Sequence, residues 1–451
     1  MKIVIGGGGK VGEALLSDLQ AENHDIFLIE NNEQVLSHLL NKYDVIGVEG
    51  SVIDYDMQEE ADVAHSDLFF AVTSSDELNI IAAIIARKLG AKHTIARVRN
   101  PQYGKHFSFV KESLLGITLM INPELETAKE IIKLLNLPHA LNVESFAHGR
   151  VHLVERIVYN QGELDQLPLY EFRKRYPSLI VCAVTRGDEV IIPDGDFVLC
   201  GGDHILLTGR VSDLQHLYRN SDGVNRSIHR VLLIGGGNIS HYICKHLDRS
   251  NKKITIIEKD REKARKLAGE FSKVTVINAD GTDYNVLEEL DFSSFDCVVC
   301  LTGLDEENIL ISMYAAKKQI NRIITKVNRT QMLPILDNVG LQTIITPKRI
   351  IADHILRFTR ALANAEGSNI NAVYRLFNNR VEALDFVVKD NSHVVDIPLK
   401  DLRTKSQVLI AFIMRKGEII FPTGDDVIKR GDHIIVITTE TTLHDLDDIV
   451  L

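Results

Sequence analysis

Residues 1–16 read MKIVIGGGGKVGEALL, and this stretch decides the fold. A β-branched run, Ile3 to Ile5, drops into four glycines, Gly6 to Gly9, and then into an apolar-periodic segment. A Gly in a helix interior costs about 1 kcal/mol relative to Ala, so the glycines serve the turn between strand and helix. Gly7-Gly8-Gly9-Lys10-Val11-Gly12 satisfies the G-x-G-x-x-G pattern in that setting. Its first Gly permits a tight turn, its second lets backbone approach a pyrophosphate, and its third lets helix pack on strand. The free N–H groups of the helix start would then face phosphate. Eighteen residues beyond Gly12, the next strand-like run ends in Glu30 (FLIE). A carboxylate there accepts from a ribose 2′-hydroxyl and repels a 2′-phosphate, which favours NAD or ATP over NADP.

The pattern recurs from Val231 as VLLIGGGNISHYICKHL. Gly7 and Gly235, and Glu30 and Glu258, are each 228 apart; Asp76 and Asp305, Asn79 and Asn308, Arg97 and Lys326, Pro193 and Pro422, and Asp203 and Asp432 are each 229 apart. A drift of one residue over so long a span marks a tandem duplication. In the second copy Gly235, Gly236 and Gly237 are followed by Asn238, Ile239 and Ser240, so a Ser replaces the third Gly. That exchange is expected to burden helix packing more than phosphate contact.

Each copy changes texture midway. Strand-like runs alternate with helix-like segments over its first half, the pattern of a parallel sheet with crossover helices. An amphipathic segment follows, INPELETAKEIIKLLNLP in the first copy and ITPKRIIADHILRFTRALA in the second, with Pro123 suited to a first helical turn. Short alternating strands with turn signals complete the copy. The fold class expected is α/β: two Rossmann-like doubly wound parallel-sheet domains, each followed by a crossover helix and a small α+β strand-rich domain. The boundaries expected are 1–118, helix 119–138, 139–221, a linker at 222–229, then 230–342, helix 343–366 and 367–451.

Ligands of open α/β sheets sit at the carboxyl ends of strands. Those ends carry Glu49 and Gly50, Thr73 and Ser74, and Arg97 in the first copy, and Asp280 and Gly281, Thr302 and Gly303, and Lys326 in the second. The basic residue ending the fifth strand of each copy can meet phosphate charge or form a surface ion pair.

Composition narrows the function. At 451 residues the chain fits two to four domains. Its net charge of −11 argues against a general grip on nucleic acid or anionic lipid. The apolar runs fall far short of the ~20 residues that span a bilayer, and the opening lacks the shape of a signal peptide, so a cytoplasmic protein is expected. Five cysteines at irregular spacing give no disulfide framework, and Cys297 and Cys300 (CVVC) read as buried thiols of a strand. No His/Cys cluster suggests a metal. A dehydrogenase would need a proton donor beside the nicotinamide and a substrate domain. With no His/Asp relay and no large helical catalytic domain in view, bound cofactor is expected to be read and not consumed. The alternatives are an NAD-dependent oxidoreductase, or a scaffold whose strand-rich domains dimerise or bind a small regulator with nucleotide merely structural.

Several motifs together resemble the RCK (KTN) family of domains that regulate potassium channels and transporters: the glycine turn, the acid at the second strand, V-E-G-S and A-D-G-T after the third, T-S-S-D-E-L-N and T-G-L-D-E-E-N after the fourth, and I-A-R-V-R after the fifth. The tails R-G-D-E-V-I-I-P-D-G-D and R-K-G-E-I-I-F-P-T-G-D, followed by G-G-D-H-I and R-G-D-H-I, resemble its C-terminal subdomain. Two complete copies on one chain resemble the TrkA family of cytosolic subunits. The resemblance implies an RCK_N and an RCK_C domain in each copy, and a nucleotide-sensing regulatory subunit that is not an enzyme. It implies NAD(H), with ATP or ADP at the same or the second site, and a ring-forming homo-oligomer, usually a tetramer. The ring would gate a membrane potassium-translocating subunit of the TrkH or KtrB type at the inner face of the cell membrane. The matching positions are Gly7 to Val11, Glu30, Thr73, Ser74 and Arg97, then Gly235 to Ile239, Glu258 and Lys326. Glu49 stands where the family usually has Asp, and Ser240 where it has Gly.

Overall fold

In the computed structural model, β1 (Lys2–Gly6), β2 (Asp25–Glu30), β3 (Ile46–Glu49), β4 (Leu68–Ala71), β5 (His93–Arg97) and β6 (Leu119–Ile121) form one sheet. The residues described are 1–20, 24–100, 115–137, 140, 142–147, 150–221, 228–329, 336, 341, 343–365, 370–377, 380–389, 392–440, 443 and 445–450. The sheet order is β3-β2-β1-β4-β5-β6 and every pairing is parallel. Strands of such a sheet are covered on both faces, and β4, LFFA, is buried at all four positions as that requires. The crossovers carry α1 (Lys10–Leu19), α2 (Glu33–Lys42), α3 (Tyr55–Glu60) and α4 (Asp76–Leu89). After β6 comes α5 (Pro123–Asn136). Pro123 opens it, where a missing N–H costs nothing.

A five-stranded antiparallel sheet follows, with β7 (Asn142–Phe146), β8 (Val151–Ile157), β9 (Ile180–Arg186), β10 (Glu189–Ile191) and β11 (His204–Gly209) in the order β10-β9-β11-β8-β7. It is accompanied by α6 (Leu169–Arg175) and α7 (Val211–Ser221). The expected linker at 222–229 lies, apart from Ile228 and His229, outside the described residues.

The second copy repeats the plan. Its parallel sheet holds β12 (Arg230–Ile234), β13 (Lys253–Glu258), β14 (Thr275–Asn278), β15 (Cys297–Cys300), β16 (Arg322–Lys326) and β17 (Thr343–Ile345), ordered β14-β13-β12-β15-β16-β17. Its helices are α8 (Asn238–Leu247), α9 (Arg261–Glu270), α10 (Tyr284–Glu289), α11 (Asp305–Lys317) and α12 (Pro347–Ala365). The antiparallel sheet β18 (Ile370–Leu376), β19 (Val381–Val387), β20 (Val408–Arg415), β21 (Glu418–Ile420) and β22 (His433–Thr438) closes the chain. Cys297 and Cys300 are buried on β15, where burial pushes both thiols up to about 12. No helix among the described residues is long and apolar enough to cross a membrane.

One sequence expectation is corrected here, in both copies. The segments expected to begin helices at 119 and 343 instead open with three-residue strands, β6 and β17, which add a sixth strand to each parallel sheet. Pairing of like with like also cuts across chain order. One compact unit contains Met1–Ile131 with His229–Thr359, and the other Ile132–Ile228 with Arg360–Leu451.

Within the second unit the two antiparallel sheets share a core, in which Phe146, Leu153, Cys182 and Leu206 of one copy pack with Phe377, Ala383, Phe412 and Ile435 of the other. Two arginines cross this contact reciprocally. Arg150 Nη1 donates to the Gly417 carbonyl at 2.6 Å, and Arg380 Nη1 to the Asp188 carbonyl at 2.9 Å. Each sheet is tied by a buried aspartate. Asp203 accepts from Arg186 Nε and Nη2, both at 2.8 Å, and Asp432 from Arg415 Nε and Nη2 at 2.9 and 2.7 Å. The paired G-D-H-I motifs therefore mark turns anchored by an arginine fork.

Candidate nucleotide sites

The glycine turn joins β1 to α1 where the strand order reverses, the place at which open sheets leave a crevice. Gly7 has φ +110°, and its N–H donates to the Ile29 carbonyl at 2.9 Å. A Cβ on Gly12 would stand 2.0 Å from the Gly7 carbonyl oxygen, so only Gly lets α1 lie this close. Gly9 is different: its φ of −67° is ordinary, and a Cβ there would meet nothing within 4 Å. It is the N-cap of α1, and no side chain caps it among the described residues. The helix start thus offers open space and uncommitted N–H groups, which suits an anion.

Glu30 ends β2 beside this turn. Its Oε2 accepts from Gly8 N at 2.6 Å and its Oε1 from Asn32 N at 2.9 Å. Those bonds fix the carboxylate and leave each oxygen a further lone pair for a ribose hydroxyl. Gly8, Gly9, Lys10, Glu13, Asn32, Gln34, Val35, His38 and Leu39 line an open cleft of about 390 Å³ here. Val11 faces inward from α1 and is buried.

Across the crevice Thr73 and Ser74 follow β4. Asn79, fully buried on α4, accepts from Thr73 N at 2.8 Å and Thr73 Oγ1 at 2.7 Å, and donates to the Arg97 carbonyl at 2.9 Å. Asp76 accepts from the N–H groups of Arg99 and Asn100 at 2.9 and 2.7 Å. The Arg99 guanidinium donates to the Ser74 carbonyl. Neither Asn79 nor Asp76 was assigned a role from the sequence, although their repetition at Asn308 and Asp305 was the available signal.

Burial, with Arg99 adding to it, pulls the Arg97 guanidinium below its usual range, while Glu124 and Asp76 oppose the shift. Burial likewise raises the Glu124 carboxyl. Arg97 Nε and Glu124 Oε2 are buried without a hydrogen-bond partner among the described residues. An unsatisfied guanidinium N–H at the end of the fifth strand fits an anionic group better than a closed structural pair.

The second turn reproduces this frame. Gly235 has φ +105° and donates to the Ile257 carbonyl at 2.9 Å; Glu258 accepts from Gly236 N at 2.6 Å and Asp260 N at 2.7 Å. Gly237 caps α8, again with open space around its Cβ position and no capping side chain among the described residues. Asn238 begins α8 exposed, and Ile239 is buried behind it. Ser240, fully buried where the first copy has Gly12, donates its hydroxyl to the Gly235 carbonyl, so the larger side chain is seated by a hydrogen bond. Asn308 accepts from Thr302 N at 2.9 Å and donates to the Lys326 carbonyl at 3.0 Å. Burial lowers the Lys326 ammonium, with Asp305 and Glu124 opposing.

Glu49 and Asp280 are not counterparts. The sheet register pairs Glu30 with Glu49 and Glu258 with Asn278, which places Asp280 opposite Ser51 in the duplication. A steric exchange supports that frame. A Cβ on Gly6 would meet Val52 at 2.1 Å, and one on Gly281 would meet Ile234 at 2.4 Å, so small and large partners have traded places. Glu49 is exposed on the edge strand. Asp280 is held by Lys259 Nζ at 2.6 Å and by Thr282, which keep its carboxyl down to about 2. The first copy has Asn31 and Ser51 at these two positions and no such ion pair.

Comparison with known proteins agrees with this arrangement. The TrkA-N domain model matches residues 3–123 and 231–347, and the TrkA-C domain model matches 153–221 and 384–451. The chain belongs to the TrkA family. A Trk system potassium uptake protein TrkA homolog of Archaeoglobus fulgidus is 30% identical over 100% of both chains. TrkA homolog 2 of Methanosarcina mazei, another Trk system potassium uptake protein, is 28% identical over 99% of both. Among solved structures, the GsuK channel bound to NAD has a similar fold, with a TM-score of 0.62 at 18% identity, covering 97% of this chain and 77% of that one. The twofold match of both TrkA models follows the duplication read from the sequence, in which each parallel-sheet lobe precedes an antiparallel one.

Proposed function

We propose that this TrkA-family chain is a regulatory subunit of a potassium uptake system, binding NAD(H) at its two glycine turns. The observation that carries the reading is the repeated combination at Gly7–Gly9 with Glu30 and at Gly235–Gly237 with Glu258. In both, an uncapped helix start with open space stands beside a fixed carboxylate. Lys10, Val11, Gly12, Thr73, Ser74 and Arg97 complete the first site, and Asn238, Ile239, Thr302 and Lys326 the second. ATP or ADP would use the same crevice, because its phosphates need the same helix start. The residues do not form an enzyme in this reading: the cofactor is sensed, and no chemistry is performed on it.

The domain limits given above, with the two crossover helices starting at Pro123 and Pro347, accompany the proposal, as does assembly into a homo-oligomeric ring, a tetramer, at the inner face of the cell membrane. Ile81 on α4 and Leu310 on α11, 229 residues apart, are 45% and 66% exposed, and Leu78 and Met313 extend these apolar faces. Paired apolar faces on corresponding helices support association. The partner would be a translocating subunit of the TrkH or KtrB type. Nucleotide acts as a switch only by preferring one ring state: a swing from about 1:99 to 99:1 needs roughly 5.5 kcal/mol of summed preference, which several sites can share.

The test is potassium flux into liposomes holding the translocating subunit, with and without the full chain, in NAD, NADH, ATP and ADP. A flux that depends on both chain and nucleotide is expected. Flux indifferent to every nucleotide, with the chain bound to the vesicles, would overturn the reading.

A further inference from the structure

Both glycine turns lie in one compact unit, and within it the Asn122 side chain bridges an element of each copy. Asn122 caps α5, its Oδ1 accepting from Leu125 N at 2.9 Å. Its Nδ2 donates twice, to the Arg99 carbonyl and to the Tyr242 hydroxyl, each at 2.9 Å. A carboxamide has two N–H donors, and both are committed. The two partners belong to different sites. Arg99 lies two residues beyond Arg97, whose carbonyl shares Asn79 with the Thr73 N–H of the first site. Tyr242, 5% exposed, stands on α8, one turn inside the helix whose start forms the second site.

The duplication does not repeat this junction. Thr346 stands in the place of Asn122 and Ala14 in that of Tyr242, and neither can make the same bond. At the reciprocal contact Lys348 lies instead in the field of Lys10 and Glu13 on α1. Glu124, two residues beyond Asn122, sits in the fields of both Arg97 and Lys326.

We propose that the Asn122–Tyr242 hydrogen bond couples the two nucleotide sites of one chain, so that filling the second changes the affinity of the first. Linkage requires the reverse effect to be equal. The proposal rests on reading both turns as nucleotide sites. Phosphate drawn to the start of α8 shifts that helix, and the buried Tyr242 hydroxyl moves with it. Asn122 cannot follow without weakening either the cap of α5 or its hold on the Arg99 carbonyl. Each position of α8 therefore favours its own arrangement at the end of β5, where the first site's Arg97 lies.

The experiment is calorimetric titration of NADH into the full-length chain. Gly9→Asp and Gly237→Asp each block one site and give the constant of the other alone. The ratio of the overall two-site constant to the product of the isolated constants is the coupling factor, expected to differ from one by about fivefold or more in the unaltered chain. Tyr242→Phe keeps ring and helix but removes the hydroxyl; it should bring the factor within twofold of one and leave each isolated constant within threefold. Asn122→Asp keeps the cap oxygen for α5 but removes both donors, and should do the same. Two bound NADH with a factor of one in the unaltered chain would overturn the coupling alone. So would a factor unchanged by both substitutions. A stoichiometry below two overturns the nucleotide reading of a site and the coupling with it, and the titration distinguishes that failure directly.

Discussion

Gly9→Asp separates the binding role of the glycine turn from its role in the fold. Gly9 has φ −67° and ψ −172°, extended backbone that any residue adopts, and its Cβ position is empty to 4 Å. Aspartate there meets no clash and becomes an N-cap, which is worth a few tenths of a kcal/mol over glycine. The melting temperature of the chain should hold or rise slightly. The same carboxylate would sit against a diphosphate on the α1 N–H groups and take one of those groups for itself. A unit charge about 5 Å from two negative charges, at an effective dielectric constant between that of water and that of a protein surface, costs ~2–3 kcal/mol. NADH affinity at the first site should therefore fall about 30–150-fold, read by calorimetry beside a melting curve. Unchanged affinity with the fold intact would show that phosphate does not rest on α1, and the nucleotide reading of this turn would fail. Gly12→Ala is the contrasting case: its Cβ would lie 2.0 Å from the Gly7 carbonyl oxygen, so stability itself should drop.

Further outcomes follow from the same geometry. Asn79→Ala strands the Thr73 N–H, takes one partner from the Arg97 carbonyl and leaves the Thr73 hydroxyl only its longer bond to the Ser75 carbonyl, at a cost of about 2–4 kcal/mol in denaturant unfolding; a loss below 1 kcal/mol would show that these bonds are replaceable. Asp203→Asn replaces the charged fork to Arg186 by at most one neutral acceptor and should cost about 1.5–3 kcal/mol, since the Arg186 left behind is 43% exposed and stays solvated. Burial opposes ionisation of Asp203, but bonds from Arg186 and Cys200 N outweigh it and hold its carboxyl below the usual range. Its stabilisation is thus complete above the unfolded value near pH ~4 and is lost as pH falls through the lower folded value. Acid unfolding of the chain should accordingly lose part of its steepness in Asp203→Asn, and an unchanged acid limb would refute that assignment.

Local chemistry made much of this molecule readable in sequence. The glycine turn, the terminal acid and the alternation of strand and helix are short-range requirements, and MKIVIGGGGKVGEALL states them within sixteen residues. What failed did so for physical reasons. The three residues Leu119–Ile121 are too few to show a strand period before Pro123, so β6 read as an approach to the helix. Glu49 and Asp280 stand in similar runs, V-E-G-S and A-D-G-T, whereas the register of a sheet is set by side-chain fit, which the Gly6–Val52 and Ile234–Gly281 exchange records. Asn122 and Tyr242 carry no signal, because their contact joins residues 120 apart and has no copy at Thr346 and Ala14. That last failure bears on function. A duplicated chain keeps its shared machinery in matched positions, which sequence comparison finds, and places any difference between its halves in unmatched ones. Two asymmetric features, the Asn122–Tyr242 bond and Ser240 for Gly12, touch the second glycine turn or its helix, and the Lys259–Asp280 pair lies next to Glu258, the acid of that turn. The two turns share one scaffold, and these differences between them are gathered at the second.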